Sequence, residues 1–264
     1  RSTYNIVNFQ ENPNAVVRRA TSEKAGKTKG ITEFSDLMRP YNPNYNKEYL
    51  LSDFKNQTYD AIFNKISLNP ILNSFQQVVH QYQIPLDLIE SFLKSMEMDL
   101  RKTNYDDEKY NEYIFGSAEV VGLMCLCVFT EGNKKLYEEL KPSAMKLGAA
   151  FQKVNFLRDV KADNLELGRN YFPNVDLKRF SSCEKRKIEA DIENDFKEGL
   201  KGILRLPSSS RKGVFLAYYY YLILFKKIKQ LPARRIMNER IRIPNYEKFF
   251  LMLKSNFKLQ MHLL

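Results

Sequence analysis

A polar stripe runs along one side of the otherwise apolar segment 142–163. If the segment is a helix from Pro142 to about Asp163, a stripe of about 80° contains Met145, Gly148, Gln152, Asn155, Asp159 and Asp163. Two carboxylates four residues apart repel each other unless a divalent cation lies between them and an anion. Mg²⁺ typically combines one or two carboxylates with water and substrate phosphates. Taken alone, the stripe also fits a solvated helix end with local Asp–Arg pairs.

A second segment, "YNEYIFGSAEVVGLMCLCVF" (110–129), could supply a facing helix. Tyr113, Ser117 and Val121 are four residues apart, so they share one side of that helix. Small residues lie beside them: Gly116, Ala118 and Gly122. Two slim helix faces can line a tunnel for a long apolar ligand, or they can pack closely together, and the spacing leaves both alternatives open.

The elements around these segments are predicted to be helical. After Asn46, apolar residues recur at three- and four-residue intervals, and alternating strand patterns are nearly absent. Breaks are expected at 67–70, near Pro85, at 101–107, near Gly132, at 170–176 and at 206–210. Ser181 and Glu184 predict a capping box that opens a helix ending near Arg205. Residues 1–46 are basic and turn-rich, and we expect an atypical, poorly ordered segment there before a helical domain at 47–264.

Composition argues against several other functions. No glycine-rich nucleotide-binding loop is present, and the three cysteines and two histidines lack the spacing of zinc ligands. The net charge of +11 is spread along the chain and not gathered beside aromatic residues, so nucleic acid is not the expected partner. A basic surface also suits anionic lipid headgroups or substrates that carry phosphates.

The cellular location follows from weaker signals. The longest apolar run, "GVFLAYYYYLILF" (213–225), is shorter than the roughly 20 residues that span a bilayer. With an odd number of cysteines and no cleavable apolar leader, the chain is expected in the cytoplasm, in peripheral contact with a membrane.

Three stretches resemble the squalene/phytoene synthases, and bacterial phytoene synthases most closely. "AMKLGAAFQKVNFLRDVKADNLELGRNYFP" (144–173) is similar to the second aspartate-rich segment of that family, with its G-R-x-Y-x-P tail. "MEMDLRKTNYDDEKYNEYIFGSAEVVGLM" (96–124) resembles its M-x-M-D-L segment and the helix that follows it. "AYYYYLILFKKI" and "RIMNERIRIP" (217–228, 235–244) resemble its C-terminal helix and basic tail.

The resemblance implies an all-α isoprenoid-synthase bundle with a central cavity. It also implies a 1-1′ condensation of two allylic diphosphates through a cyclopropyl intermediate. Mg²⁺ would be the cofactor, with Mn²⁺ as an alternative, and no nicotinamide would be used. For a phytoene synthase the substrate is geranylgeranyl diphosphate and the product belongs to carotenoid biosynthesis. A monomer is expected.

By resemblance, individual residues acquire roles. Asp159 and Asp163 would hold the metal, while Gln152, Asn155 and Arg158 would orient or contact diphosphate. Tyr113 would stand near the reacting centre. The prenyl tunnel would be lined by Ser117, Val121, Cys125, Ala144 and Gly148. Tyr221 matches another cavity tyrosine, although one more aromatic residue in a tyrosine-rich core helix explains it equally well.

The chain departs from the family pattern near its N-terminus. The family carries a first D-x-x-x-D there, and the nearest match places Asp36 at the first aspartate and Pro40 at the second. Asp36 is therefore a tentative metal ligand without its partner carboxylate, and condensation by this chain is expected to be impaired. The alternatives are a non-catalytic family member acting as a lipid-binding or assembly scaffold, and a squalene or dehydrosqualene synthase using farnesyl diphosphate.

Overall fold

The computed structural model confirms the all-α expectation over the residues that it describes. These residues are 46–100, 105–161, 170–173, 175, 180–238, 240–244, 247–248, 250–251 and 254–255. Asp36, Pro40 and Asp163 lie outside them, as does nearly all of the predicted atypical segment. The chain divides into two compact units, Arg1–Arg101 and Lys102–Leu264.

The described part of the first unit consists of three helices: α1 (Lys47–Asn64), α2 (Pro70–Tyr82) and α3 (Leu86–Met98). Asn46 caps α1 and Asn69 caps α2, each by accepting hydrogen bonds from backbone N–H groups of the first turn. Lys65 and Gln83 adopt the left-handed conformation that ends α1 and α2, at φ 57° and 51°. The helices bury a small apolar core that includes Leu51, Ile62, Leu72, Val79, Ile89 and Leu93.

The second unit begins with one long apolar helical segment, Asp107–Phe129. It comprises α4 (Asp107–Ile114), a π-helical turn (Phe115–Glu119) and α5 (Val120–Phe129). The π-helical turn closes with a hydrogen bond from the N–H of Val120 to the carbonyl of Phe115. Among the described residues, this segment alone has the length and hydropathy of a membrane span, and 83% of its most apolar window is buried inside the protein, as in a core helix.

The other helices of the second unit surround α6 (Lys134–Lys161). They are α7 (Ser182–Arg205), α8 (Ser208–Gln230) and the short α9 (Ala233–Ile236). The capping box of Ser181 and Glu184 is present, so the start of α7 is confirmed. The prediction that α6 begins at Pro142 was wrong: the helix starts eight residues earlier, and Pro142 lies inside it.

Glycines on both sides of α6 allow close helix contacts. A Cβ atom on Gly148 would lie 2.4 Å from the carbonyl oxygen of Ala118, and one on Gly122 would lie 2.6 Å from that of Ala144. On the opposite side, a Cβ on Gly202 would lie 2.4 Å from the Cβ of Ser143. Real Cβ atoms do not approach other atoms this closely, so helix α6 is held against both neighbours at glycine positions.

Candidate functional site

Asn155 and Asp159 lie on successive turns of α6, as the sequence predicts. The Asp159 side chain is buried, with 7% of the residue exposed, whereas Gln152 and Asn155 are partly buried. Asp163, the other carboxylate of the predicted pair, lies outside the described residues. The structure therefore describes three of the four polar positions of the predicted stripe.

Two guanidinium groups bind the Asp159 carboxylate. Nη2 of Arg158 lies 2.6 Å from Oδ2, and its Nε lies 3.2 Å from each carboxylate oxygen. Nε of Arg240 lies 2.7 Å from Oδ1. Arg240 belongs to the irregular segment that follows α9, so the tail and α6 meet at this carboxylate.

The arginines outnumber the acid that they share, which makes the site electropositive. Burial alone would lower the pKa of Arg158, but hydrogen bonds and the charge of Asp159 more than compensate, and its pKa is raised. The pKa of Arg240 is lowered, chiefly by burial and also by the neighbouring charges of Arg158 and Arg242, against the opposing effect of Asp159. Guanidinium groups arranged in this way favour an incoming anion with several oxygens, such as a diphosphate.

Tyr221 is brought to the same face of α6. Its hydroxyl donates a hydrogen bond of 3.3 Å to Oδ1 of Asn155, and its ring stacks on Phe151 at a centroid distance of 4.1 Å. Only 3% of Tyr221 is exposed. Tyr221 is thus a core aromatic residue, as one alternative held, and it also contacts a predicted site residue.

Tyr113 belongs to an aromatic cluster beside this polar group. Its ring contacts those of Tyr105, Phe156 and Tyr171 at centroid distances of 5.4, 6.0 and 5.2 Å. Phe156 is the residue after Asn155, and it stacks on Tyr171 at 4.3 Å. Tyr113, which is predicted to stand near the reacting centre, therefore contacts the "NYFP" stretch (170–173) next to α6.

The predicted tunnel residues differ in what they contact. Ser117 donates its hydroxyl to the Tyr113 carbonyl at 2.6 Å, within its own helix. Val121 and Cys125 are buried on α5, and burial raises the pKa of the Cys125 thiol to about 12, so the thiol stays protonated. Ala144 and Gly148 sit at the close helix contacts described above. Backbone of the neighbouring helix fills the space beside Gly148 and beside the Ala144 carbonyl, which is the close packing that the sequence left open as an alternative to a tunnel.

The donor atoms of this face suit a hard divalent cation. Asp159 and Asn155 present carboxylate and amide oxygens, the ligand types that Mg²⁺ prefers. Among the described residues, no cluster of three or more His, Cys, Asp or Glu side chains could hold a metal ion. The fit therefore depends on Asp159 together with oxygen donors from Asn155, Asp163 or substrate.

Sequence reasoning missed two features. Arg240 lies in the basic tail and has no role predicted from the sequence, because a separation of 81 positions from Asp159 gives no local signal. A charge cluster around the buried Lys153 and Asp195 joins α6 to α7. The Lys153 ammonium lies 2.6 Å from Asp195 and also binds Asp191, and Lys146 lies 3.2 Å from Asp195. The four-residue spacing of Asp191 and Asp195 was the available clue.

Comparison with known proteins places these features in context. A family described as squalene/phytoene synthase matches residues 42–247. Phytoene synthase of Arthrospira platensis is 23% identical over 222 residues, which are 74% of this chain and 71% of that protein. Chloroplastic phytoene synthase 1 of Solanum lycopersicum is 27% identical over 212 residues, 73% of this chain and 50% of that protein. The chain thus spans half the length of this plant relative.

Solved structures show the same helical fold. A crystal structure of a dehydrosqualene synthase in complex with ligand superposes with a TM-score of 0.67 at 21% identity, covering 86% of this chain and 83% of that one. Squalene synthase HpnC from Alicyclobacillus acidocaldarius superposes with a TM-score of 0.62 at 18% identity, covering 90% of each chain. The expected isoprenoid-synthase fold is confirmed.

Proposed function

Because the chain belongs to the squalene/phytoene synthase family, we propose that it is a prenyltransferase that joins two allylic diphosphates in a Mg²⁺-dependent 1-1′ condensation. The proposed substrate is geranylgeranyl diphosphate and the proposed product is phytoene, a precursor in carotenoid biosynthesis. Phytoene synthases among the relatives support this choice of substrate.

The observation that carries the proposal is the sharing of Asp159 by Arg158 and Arg240. One carboxylate does not neutralise two guanidinium groups, so the cluster retains positive charge. A diphosphate can accept hydrogen bonds from the outer N–H groups of both arginines while Asp159 keeps them oriented. This arrangement would bind the substrate headgroup and stabilise the diphosphate as it leaves.

Asp159 and Asp163 are the proposed metal ligands, with Asp36 as a tentative third. Gln152 and Asn155 would orient diphosphate or water beside them. When bound, Mg²⁺ supplies the charge neutralisation that makes diphosphate a good leaving group. The Asp159 carboxylate has both oxygens engaged by arginines, so binding of metal and diphosphate requires these contacts to be shared or exchanged.

The aromatic cluster is proposed to protect the cationic part of the substrate. The faces of Tyr113, Phe156 and Tyr171 can stabilise a nearby carbocation through cation–π interactions. Their mutual packing also excludes water, which would otherwise quench the cation. Ser117, Val121 and Cys125 remain the proposed lining of the prenyl tunnel.

Incubation of the chain with geranylgeranyl or farnesyl diphosphate and Mg²⁺, followed by hydrocarbon extraction and mass spectrometry, tests this function. Phytoene from the first substrate is the expected product. Squalene or dehydrosqualene from the second alone would instead establish the farnesyl alternative. If neither substrate gives a hydrocarbon, the condensation proposal is wrong.

A scaffold function is the second candidate, and the sequence at the position of the first D-x-x-x-D motif favours it. Pro40 stands where the resemblance expects the second aspartate, and proline cannot ligate a metal. A scaffold would bind prenyl diphosphate without turning it over. Equilibrium binding of a non-hydrolysable diphosphate analogue, combined with absent turnover in the extraction assay, would support it.

We also propose that the protein works as a cytoplasmic monomer in peripheral contact with a membrane. Its net charge of +11 would draw it to anionic headgroups, and this attraction weakens as salt rises. Fractionation of cells and salt extraction of the membranes test the location, while sedimentation velocity tests the monomer. Retention on membranes at every salt concentration would contradict a purely electrostatic attachment.

A further inference from the structure

Three large apolar side chains project from the last turn of α1 and from the connection to α2 that follows it. Phe63 is 86% exposed, Ile66 is 67% exposed and Leu68 is fully exposed. We call residues 63–68 the apolar turn. Single exposed apolar residues are common on protein surfaces, but three within six residues form a patch that indicates an interaction site.

The backbone of the apolar turn is held in place by hydrogen bonds. Asn73 accepts from the N–H of Ser67 through its Oδ1 at 3.1 Å, and Ser67 accepts from the N–H of Asn69 through its Oγ at 3.2 Å. At the end of α1, Nε2 of His80 contacts the carbonyl oxygen of Ile62 at 2.8 Å. The apolar side chains are therefore presented by an ordered turn, and local disorder does not account for their exposure.

The charge of this region suits a negatively charged partner surface. No aspartate or glutamate occurs at residues 61–86, so the turn and all of α2 lack carboxylates. Lys65 is exposed in the middle of the apolar turn, and Asp60 is the nearest acidic residue before it. The chain as a whole carries a net charge of +11.

The exposed fractions also constrain the shape of the partner. A side chain as exposed as Leu68 stands clear of its own protein and cannot sit in a groove. Three such side chains offer on the order of 400 Å² of apolar surface, about half of what each partner contributes to a standard protein interface. A bilayer accepts protruding side chains without requiring a matching surface.

We propose that the apolar turn is a membrane-docking element, in which Phe63, Ile66 and Leu68 insert into the interfacial region of a bilayer and Lys65 contacts anionic headgroups. The proposal rests on the proposed function in one respect: substrates and a product with long hydrocarbon chains reside in membranes. The proposal assigns the peripheral membrane contact to one segment, residues 63–68. The net charge of the whole chain does not identify any such segment.

The absence of tryptophan from the chain provides a direct test. In Phe63→Trp the single indole should shift its emission to the blue on addition of phosphatidylcholine vesicles containing one fifth phosphatidylglycerol, and lipids brominated on their acyl chains should quench it. The matched control is Tyr49→Trp, since Tyr49 is 60% exposed at the opposite end of α1 and should not respond. Equal responses at both positions, or none at Phe63→Trp, would overturn the proposal.

A triple variant, Phe63→Gln/Ile66→Thr/Leu68→Gln, measures the contribution of the patch. Because these side chains are exposed, the variant should fold, and its vesicle partition coefficient should fall by more than about tenfold at low and high salt. Lys65→Glu should weaken binding only to anionic vesicles at low salt. Undiminished partitioning of the triple variant would refute the assignment. A concentration-dependent dimer of the parent chain that the triple variant abolishes would also refute it, because the patch would then bind a second copy of the chain.

The test separates this inference from the proposed function. Condensation assayed with detergent-dispersed substrate should be the same in the triple variant and the parent chain. If the parent chain makes no hydrocarbon but the vesicle results hold, the proposed function fails and the docking element stands. If hydrocarbon forms but vesicle binding is unaffected by the substitutions, the docking element is wrong and the proposed function stands.

Discussion

Nε of Arg240 lies 2.7 Å from Oδ1 of Asp159, so the tail after α9 and the polar face of α6 meet at one ion pair. Arg158, the immediate neighbour of Asp159, completes the cluster from the other side. The predicted metal ligand Asp159 is thus also the residue that holds the guanidinium groups of Arg158 and Arg240. Substitutions in the cluster can separate these roles.

Asp159→Asn should abolish condensation while the fold persists. The change removes the charge that would hold the metal and leaves two guanidinium groups without their shared anion, so turnover should fall by at least about 10³-fold. Hydrocarbon formation measures the loss, and circular dichroism checks the helices. Turnover near that of the parent chain would remove Asp159 from the metal site.

Arg240→Lys should weaken diphosphate binding although the charge remains. Lysine cannot reproduce the planar fork of donors, so kcat/KM should fall by about tenfold or more and the affinity for inorganic diphosphate measured by calorimetry should fall with it. Arg242→Lys, on the same segment with an exposed side chain, is the matched control. Equal effects of the two substitutions would show that Arg240 contributes only general positive charge.

Tyr221→Phe isolates the hydrogen bond to Asn155. The ring can still stack on Phe151, so the free energy of unfolding should change by only about 1 kcal/mol. Loss of orientation at Asn155 should lower kcat more than it raises KM. Tyr220→Phe serves as the control because Tyr220 is next in the chain and its ring contacts Tyr221 and Lys248. An unchanged kcat in Tyr221→Phe would mean that Asn155 does not depend on this hydroxyl.

Lys153→Met should destabilise the second unit strongly. The Asp195 side chain is completely buried and, among the described residues, would keep only Lys146 as an ion-pair partner. Breaking a buried pair commonly costs about 3 kcal/mol or more. Urea unfolding measures this loss. Lys201→Met removes an exposed pair with Glu198 and should cost less than about 1 kcal/mol. Similar losses in the two variants would contradict the importance of burial.

The stability contributed by Lys153 and its two aspartates, Asp191 and Asp195, depends on pH. Burial alone would lower the pKa of Lys153, but its hydrogen bonds to Asp191 and Asp195 dominate and raise the pKa above 10.5. The folded protein therefore holds this proton more tightly than the unfolded chain does. The stabilisation is complete below pH 10.5 and is lost as pH rises through the raised pKa, so parent and Lys153→Met stabilities should converge there. Parallel pH curves would contradict this.

The sequence could predict features that depend on local spacing. The side of α6 shared by Asn155 and Asp159 follows from helical periodicity, and the capping box of Ser181 and Glu184 follows from local hydrogen bonding. The first residue of α6 could not be predicted from the sequence, because proline is common at the first position of a helix and Pro142 indicated a start there. Here the helix continues through the exposed Pro142 in its interior.

Other features depend on which helices become neighbours. A small residue such as Gly148 can open space or permit close contact, and only the position of Ala118 on the neighbouring helix decides between these outcomes. Likewise, Lys153 reads as a surface residue until Asp195 is placed opposite it. The role of Arg240 required the tail to fold back to α6, which no short-range pattern encodes.

The π-helical turn Phe115–Glu119 has a consequence for insertions and deletions. It adds one residue to a helical turn, so it sets the rotation of Tyr113 relative to Gly122 along the otherwise continuous segment. The extra residue is accommodated within that turn, so deleting one residue there would restore regular α-helix and leave the two ends at nearly the same relative rotation. Tyr113 would keep its aromatic cluster and Gly122 its contact with Ala144. Converting the turn to regular α-helix at unchanged length would instead rotate one end by about 100° relative to the other. A one-residue deletion at this turn should therefore be tolerated better than a one-residue deletion elsewhere in the segment.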